Sequence, residues 1–250
     1  MEETLEFVVQ IHEAGPDSKA RVKSLFNYMQ IAADQHSQSL GTSVSLMSDK
    51  NLTWVYSRFY AVVEKYPELY EKICCRTWRS VVLNGFVCRE FLISGSDGGV
   101  QVRATSTLAL IDKTSRKPVP IPEFITSQLE GGNGRSIDFP TDIIKHKDDF
   151  DYIYNIKARY EDIDINGHMN NSSYAGIFFE SIFENLKNTM IMKSIDISFR
   201  GEIRFGDELE CGVASIADSP GKYYHRLFNK TKGRSSANAV TEWIINSEIA

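Results

Sequence analysis

The densest group of polar side chains in the sequence surrounds an Asp-x-Asn-x-His motif, which is formed by Asp164, Asn166 and His168. These residue types suit carbonyl chemistry. An amide N–H can donate a hydrogen bond to a carbonyl oxygen whose negative charge grows in the transition state. An imidazole can donate to the same oxygen or move a proton near neutral pH. A carboxylate can orient either group or help to activate a water molecule.

The spacing of the motif predicts how these side chains would face one site. In an extended segment alternate side chains point the same way, so the three polar residues would face one cavity. Ile163 and Ile165 would then face the core. In a helix the same spacing would place Asn166 opposite the other two. Asp, Asn and Gly are also the residues that a strand-to-helix connection uses for turns and caps, and the pattern alone is equally consistent with that interpretation.

Two similar halves of the chain would position the motif. Helical spacing of apolar residues predicts one helix over residues 24–40 and a second over 171–186, where Asn170, Asn171 or Ser172 can cap the start. Runs rich in β-branched and aromatic residues predict strands at 54–63, 73–82, 87–93, 100–111, 152–158, 195–199, 208–214, 223–229 and 236–245. The order predicts an α+β fold in which an antiparallel sheet packs on a long helix, in two copies.

The predicted domains are residues 1–130 and 151–250, joined by a Gly- and charge-rich linker at 131–150. The region that precedes the first helix, residues 12–21, contains no Asp-x-Asn-x-His pattern. If the repeat is real, one copy kept a reactive cluster and the other did not. The cluster would then be more than a structural requirement of the fold.

Composition narrows the class of protein. The chain has 250 residues, 42% hydrophobic and 24% charged, which is ordinary for a globular protein, and its net charge of −5 argues against non-specific nucleic-acid binding. Its four cysteines, Cys74, Cys75, Cys88 and Cys211, lack metal-ligand spacing and are interpreted as thiols in a reducing cytosol. We find no secretory or transit pattern and no apolar run of roughly 20 residues. We therefore expect a cytoplasmic protein without membrane insertion.

Several motifs together carry a family resemblance. The run D-I-N-G-H-M-N-N-S-S-Y-A begins at Asp164 and is followed by F-F-E-S. Upstream lie N-L-T-W-V-Y-S-R (51–58), K-Y-P (65–67) and T-W (77–78), and downstream lie S-F-R-G-E (198–202) and T-E-W (241–243). In this order, and over nearly the whole chain, the sequence resembles the fatty acyl-acyl carrier protein thioesterases of plants and bacteria.

The resemblance implies a tandem double hotdog fold, each half a long helix wrapped by a curved antiparallel sheet. It implies hydrolysis of the thioester between a fatty acyl chain and the phosphopantetheine arm of acyl carrier protein, without a metal or cofactor. The N-terminal half would mainly shape the acyl pocket and the C-terminal half would carry catalysis. Asp164, Asn166 and His168 match the catalytic acid, amide and imidazole of the family, and Glu202 matches a catalytic glutamate.

One position departs from the family pattern. The plant enzymes usually have a cysteine directly after the catalytic glutamate, and here Ile203 occupies that place. A cysteine nucleophile is therefore excluded at this position. Attack by water, assisted by Glu202 or Asp164 as base and with Asn166 and His168 stabilising the oxyanion, becomes the favoured mechanism.

Other residues are assigned more general roles. Met29, Ala33 and Trp54 are candidates for lining an acyl tunnel, with ordinary core packing as the alternative for each. His36 is interpreted as a satisfied core or pocket histidine. Because acyl carrier protein is acidic, its docking surface should be locally basic. The candidate basic residues are Arg76, Arg79, Arg89, Lys187 and Lys193.

Two alternatives to this function remain open at the level of the sequence. One is a hotdog thioesterase that acts on acyl-coenzyme A, and the other is a sensor that binds acyl thioesters without turnover. The resemblance is compatible with either a monomer or a homodimer, because two fused hotdog halves satisfy the pairing that single copies achieve by dimerising.

Overall fold

The computed structural model of the protein describes residues 1–129, 133–141, 148–186 and 190–245, without the side chains of 183–186. The chain divides into two compact units, Met1–Phe139 and Pro140–Ala250. Residues 133–139, which come from the predicted linker, therefore belong to the first unit. Each unit is a long helix with an antiparallel sheet, so the predicted α+β double hotdog fold is confirmed.

The described residues of the first unit form five strands and three α-helices. They are β1 (Glu2–Val8), α1 (Val22–Ser39), α2 (Val44–Asp49), β2 (Leu52–Val63), β3 (Lys72–Leu83), β4 (Phe86–Gly95), β5 (Val100–Asp112) and α3 (Glu123–Thr126). The strands of this unit are ordered β1-β3-β4-β5-β2, and each neighbouring pair is antiparallel.

Helix α1 packs against β3 and β1 because one stripe of its surface is apolar. Leu25, Met29, Ala32 and His36 recur at intervals of four, three and four residues, and all four are buried. Burial of each large apolar side chain stabilises the fold by roughly 1.5–3 kcal/mol. The helix ends before Gly41, whose φ of +66° is the left-handed conformation that glycine adopts at least cost.

In the second unit, the part of the chain that the structure describes forms one α-helix and five strands. They are β6 (Tyr152–Lys157), α4 (Asn171–Leu186), β7 (Met190–Phe199), β8 (Glu208–Ser215), β9 (Lys222–Asn229) and β10 (Arg234–Ile245). Within this unit the strand order is β7-β10-β9-β8-β6, again antiparallel.

Asn170 is the residue that caps α4. Its side-chain Oδ1 accepts hydrogen bonds from the backbone N of Ser172 at 2.9 Å and from the Ser172 hydroxyl at 2.8 Å. This satisfies one of the N–H groups that a helix start leaves without an intrahelical partner. None of the helices in the described parts of the chain combines the length and apolar character needed to cross a lipid bilayer.

Candidate active site

The segment that carries the Asp-x-Asn-x-His motif is a tight hairpin loop. The backbone N of Asp164 donates to the carbonyl oxygen of His168 at 2.8 Å, and the N of Gly167 donates to the carbonyl of Asp164 at 3.0 Å. Gly167 has a φ of +74°. This pattern is that of a three-residue hairpin loop whose last residue is left-handed. The prediction of an extended segment is therefore wrong, because Asn-Gly chemistry favours the turn over continued extension.

The turn also overturns the predicted orientation of Ile165. Ile165 stands at the tip of the loop with 91% of its surface exposed, so it does not face the core. Ile163 lies at the base of the loop, where it bridges to Met169, and is half-buried. A residue at the tip of a turn has no sheet or helix opposite it to pack against, so the alternation of apolar and polar residues along the segment does not predict its burial.

The carboxylate of Asp164 folds back over its own loop. Its Oδ1 accepts from the backbone N of Asn166 at 2.8 Å and of His168 at 3.5 Å, while its Oδ2 lies 3.4 Å from the Asn166 amide nitrogen. The three motif residues are thus joined through Asp164. A carboxylate that accepts several N–H groups holds the loop in one conformation, as an Asx turn does.

Glu202 reaches the motif from the connection that follows β7. Its Oε2 lies 3.0 Å from Nε2 of His168. A carboxylate only accepts hydrogen bonds, so we assign the proton to Nε2 of the imidazole as the donor. Both side chains are partly accessible, with 23% of His168 and 32% of Glu202 exposed. The pair is therefore within reach of a ligand from solvent.

A backbone hydrogen bond ties the two segments together beside this pair. Met169 N donates to the carbonyl oxygen of Ile203 at 2.8 Å. Both residues are buried, Met169 with 4% and Ile203 with 0% of its surface exposed. The side chain that follows Glu202 therefore belongs to the core and not to the partly accessible face.

A second set of contacts, made by Lys232 and Asp207, holds the segment that contains Glu202. Lys232 Nζ donates to the carbonyl oxygen of Glu202 at 2.9 Å and lies 3.0 Å from Oδ2 of Asp207. The same carboxylate accepts from the backbone N of Arg204 at 2.8 Å and from the Asn229 amide at 2.7 Å. Burial tends to raise the pKa of Asp207, but these hydrogen bonds and the Lys232 charge outweigh it and lower the pKa.

Tyr174 lies against the same segment from α4. Its hydroxyl donates to the carbonyl oxygen of Gly201 at 3.2 Å, and 4% of the residue is exposed. Burial raises the pKa of its hydroxyl, and the nearby negative charges of Glu202 and Asp164 act in the same direction. No motif in the sequence identified Tyr174 as a site residue. Asp207 and Lys232 were not identified as site residues, because no sequence spacing links them to Glu202.

The first unit contains the same turn with different side chains. The N of Gly15 donates to the carbonyl of Lys19 at 2.8 Å, and the N of Ser18 donates to the carbonyl of Gly15 at 3.0 Å. Ser18 has a φ of +59°, in the place of Gly167. By this correspondence Gly15, Asp17 and Lys19 occupy the positions of Asp164, Asn166 and His168.

The correspondence extends to Glu202. In the first unit Ala20 N donates to the carbonyl of Pro67 at 2.8 Å, which matches the bond from Met169 to Ile203. Tyr66, which precedes Pro67, therefore occupies the position of Glu202. The fold forms the backbone of this turn with either set of side chains, so Asn166, His168 and Glu202 are not required for the turn.

The predicted pocket residues lie in the first unit. Met29 and Ala33 are on the sheet-facing stripe of α1, with 0% and 7% of their surface exposed. Trp54, in β2, is half-buried, and the guanidinium carbon of Arg79 lies 5.3 Å from the centre of its ring.

The candidate docking residues separate into buried and accessible groups. Arg79 and Arg89 are buried, with 5% and 2% exposed, so they are not part of a docking surface. Arg76 is accessible and lies 3.7 Å from a carboxylate oxygen of Glu2, and Lys193 is half-buried. Lys187 lies outside the described residues.

Comparisons with protein families match both halves of the chain. The model of the acyl-ACP thioesterase N-terminal domain matches residues 3–129, and that of the acyl-ACP thioesterase C-terminal domain matches residues 145–245.

Curated relatives match over most of this chain. The chain is 25% identical over 252 residues to the chloroplastic dodecanoyl-[acyl-carrier-protein] hydrolase of Umbellularia californica. It is 25% identical over 257 residues to the chloroplastic palmitoyl-acyl carrier protein thioesterase of Arabidopsis thaliana. Each match covers 95% of this chain, which spans 66% and 62% of the length of the two relatives.

Solved structures share the fold. An acyl-ACP thioesterase from Bacteroides thetaiotaomicron superposes with a TM-score of 0.86 at 23% identity, covering 97% of this chain and 98% of the other. The 12:0-ACP thioesterase from Umbellularia californica gives a TM-score of 0.86 at 24% identity and covers 98% of both chains.

Proposed function

Because this chain belongs to the acyl-ACP thioesterase family, we propose that it hydrolyses the thioester between a fatty acyl chain and acyl carrier protein and releases the free fatty acid. The observation that carries the proposal is the contact of 3.0 Å between Nε2 of His168 and Oε2 of Glu202. This partly accessible acid–imidazole pair has no equivalent in the first unit, where Lys19 and Tyr66 occupy the two positions.

Glu202 is the base in the proposed mechanism. Its side chain is 32% exposed, so a water molecule can reach the carboxylate beside His168. Asp164 is the weaker candidate, because its oxygens already accept N–H groups of Asn166 and His168. Asp164 is therefore assigned the role of holding the loop.

The reaction proceeds by attack of water on the thioester carbonyl carbon. Glu202 takes a proton from the water, and the carbonyl oxygen becomes an oxyanion. The exposed Asn166 amide donates to this oxyanion, and a ring N–H of His168 is the second donor. As the oxyanion collapses, the carbon–sulfur bond breaks and the proton held by Glu202 passes to the departing sulfur. The products are a free fatty acid and the thiol of the pantetheine arm.

The proposal is tested by measuring fatty acid release from acyl carrier proteins loaded with octanoyl to octadecanoyl chains. The wild type is compared with Glu202→Gln and with Lys19→Ala, which changes the first-unit counterpart of His168. Release by the wild type and by Lys19→Ala, together with its loss in Glu202→Gln, supports the proposal. A higher rate on acyl-coenzyme A of equal chain length would replace the carrier protein with coenzyme A as the substrate. A folded protein that binds acyl thioesters without hydrolysing any of them would be a sensor.

The cytoplasm is the proposed location. The four cysteines are free thiols, which suits a reducing compartment. The curated relatives are named as chloroplastic, so fractionation of the source cells is the deciding measurement. A monomer or a homodimer is compatible with the proposal, and light scattering distinguishes them.

A further inference from the structure

The first unit contains two buried arginines without a carboxylate partner. Arg79 is 5% exposed and Arg89 is 2% exposed. Among the residues that the structure describes, no carboxylate oxygen lies within ion-pair distance of either guanidinium. Buried charges are normally paired, because a charge removed from water is costly without a counter-charge.

Both arginines are instead held by neutral groups. Arg79 donates to the Thr42 hydroxyl at 2.6 Å and to the Gln128 side-chain oxygen at 3.2 Å. Arg89 donates to the Ser37 hydroxyl at 3.1 Å and to the Thr77 hydroxyl at 3.3 Å. Neutral acceptors orient a guanidinium, but they do not neutralise it.

The electrostatic cost appears in the pKa of each side chain. The pKa of Arg79 is lowered to about 9, mainly by burial and in smaller part by the charge of Arg89. Burial also lowers the pKa of Arg89, although Tyr56 and Asp34 act in the opposite direction. The two cations therefore lie close enough to repel one another.

His36 adds a hydrogen-bond donor to this cluster. Its Nδ1 lies 3.1 Å from a terminal nitrogen of Arg89, and a guanidinium can only donate, so Nδ1 is the acceptor. Burial, followed by the charges of Arg89 and Arg79, lowers the pKa of His36 to about 3, which keeps the ring neutral. The single ring proton is then on Nε2, which is buried and has no partner. The interpretation of His36 as a satisfied histidine is therefore wrong for this nitrogen.

Trp54 adds a second donor. Its indole Nε1–H is buried without a partner, and Arg79 lies over its ring. The two unmet hydrogen-bonding groups at His36 and Trp54 are thus both donors, and they accompany two buried guanidinium groups that have no carboxylate within ion-pair distance among the described residues. The ligand chemistry that satisfies all four is an anion that accepts hydrogen bonds.

We infer that His36, Trp54, Arg79 and Arg89 form a binding site for a carboxylate carried on an apolar chain. Arginine is the side chain best suited to a carboxylate, because its planar fork donates two parallel hydrogen bonds. An apolar surface adjoins the cluster, since Trp54 packs against a group of buried residues that includes Val87, two positions before Arg89 on the same face of β4.

The inference of an anion site depends on the geometry of the first unit, whereas the choice of a fatty acyl carboxylate as its ligand rests on the proposed function. Two sources supply the same chemistry. One is the free fatty acid product, and the other is an acyl substrate whose far end carries a second carboxylate.

The binding test uses the complete protein and two probes of equal length, octanoate and octan-1-ol, in calorimetric titrations. We expect saturable binding of octanoate, with octan-1-ol at least about tenfold weaker, as loss of a hydrogen-bonded charge predicts. Arg89→Met should weaken octanoate binding by about tenfold or more and leave octan-1-ol unchanged. Equal affinities for the two probes, or unchanged octanoate binding in Arg89→Met, would overturn the inference.

Two further variants keep this test decisive. Arg89→Met removes the buried charge and keeps a long apolar side chain without leaving a paired carboxylate behind among the described residues, so it is expected to fold, which a thermal melt verifies. Trp54→Phe retains one aromatic ring and removes the N–H together with the rest of the indole, and it should also weaken octanoate binding. Glu202→Gln should retain octanoate binding, because a carboxylate bound only at the candidate active site would respond to that change instead.

Kinetics then distinguish the two sources of the carboxylate. A preference of about tenfold in kcat/KM for an ω-carboxyacyl carrier protein over the plain acyl form, abolished by Arg89→Met, assigns the site to substrate selection. Inhibition by octanoate that Arg89→Met relieves, without such a preference, assigns it to the product. Binding of octanoate without hydrolysis of any thioester would reject the proposed function and retain the carboxylate site.

Discussion

Nε2 of His168 and Oε2 of Glu202 lie 3.0 Å apart, although one residue belongs to a hairpin loop before α4 and the other to the connection after β7. The backbone bond from Met169 to Ile203 joins these segments one residue beyond the pair. The first unit makes the same backbone bond from Ala20 to Pro67. A shared backbone with different side chains is the arrangement expected when one copy of a duplicated unit carries the chemistry.

The acid–imidazole pair provides the first prediction. Glu202→Gln and His168→Ala should each lower kcat by about 10²-fold or more, since each removes an acid–base or oxyanion-stabilising group. Steady-state fatty acid release measures the effect. Tyr66→Phe, at the first-unit position that corresponds to Glu202, is the matched control and should retain wild-type kcat. Near-normal turnover in His168→Ala would show that the reaction occurs elsewhere.

Asp164 provides a second prediction, because its two candidate roles respond differently to a pair of substitutions. Asp164→Ala removes the acceptor of the loop N–H groups and should lower kcat by about 10²-fold, because the catalytic side chains on the loop are then misplaced. Asp164→Asn retains one oxygen that accepts N–H bonds, so it should retain more activity than Asp164→Ala. Equal loss in both variants would make Asp164 the base and contradict its assignment as a positioning residue. The pH profile of kcat in Asp164→Asn is the second readout, and it should keep the wild-type shape.

The contacts of Asp207 predict a loss of stability in acid. Its pKa is lower in the folded protein than in the unfolded chain, so the folded state stabilises the charged form. This contribution is present above the unfolded pKa of about 3.9 and is lost as the pH falls through the folded pKa. Urea unfolding of the wild type and of Asp207→Asn should therefore differ most near neutral pH. A difference that persists unchanged at the lowest pH would exclude the charge as its cause.

Lys232 links this carboxylate to the position of Glu202. Lys232→Met removes the donor to the Glu202 carbonyl and leaves Asp207 without its cation. We expect a loss of about 1–3 kcal/mol in the free energy of unfolding, since a buried charged group loses a partner. The kcat should fall while KM changes little, because Lys232 positions Glu202 without contacting substrate. An unchanged kcat in a destabilised variant would limit Lys232 to a structural role.

Buried His225 predicts a separate pH dependence. Its ring contacts the Ser181 hydroxyl at 3.1 Å and the Thr241 hydroxyl at 2.7 Å, and burial lowers its pKa to about 3. The unfolded chain binds a proton near pH 6.5 and the folded protein does not, so stability is full above that pH and falls below it. The loss should reach about 2 kcal/mol near pH 5, at about 1.4 kcal/mol per pH unit.

Denaturant unfolding of His225→Gln, measured over the same pH range, checks this assignment. Glutamine offers a donor and an acceptor without a titrating proton. The variant should therefore lose less stability between neutral pH and pH 5 than the wild type does. If the free energy of unfolding depends on pH equally in both proteins, the dependence comes from other groups. His36 is the first candidate, because burial also lowers its pKa to about 3.

Much of the fold could be predicted from local patterns. The stripe on α1 and the runs of β-branched residues place one long helix and four strands in the first unit close to their observed ends. The structure adds β1, which alternates exposed and half-buried residues over Glu2–Val8. Leu5 and Phe7 were the available signal. With only these two large apolar residues before Val8, the sequence pattern does not distinguish a strand from an acidic tail.

The sequence by itself determined the periodicity of the elements, the duplication and the types of residue available for chemistry, because these depend on neighbours along the chain. Tertiary structure decided the conformation of the motif loop and the contact of His168 with Glu202, because these depend on hydrogen bonds between segments distant in sequence. It likewise decided that Arg79 and Arg89 are buried, with no carboxylate at ion-pair distance in the described parts of the chain. A charged side chain on a strand predicts solvent exposure from its type alone, and only packing against α1 and its neighbours removes it from water.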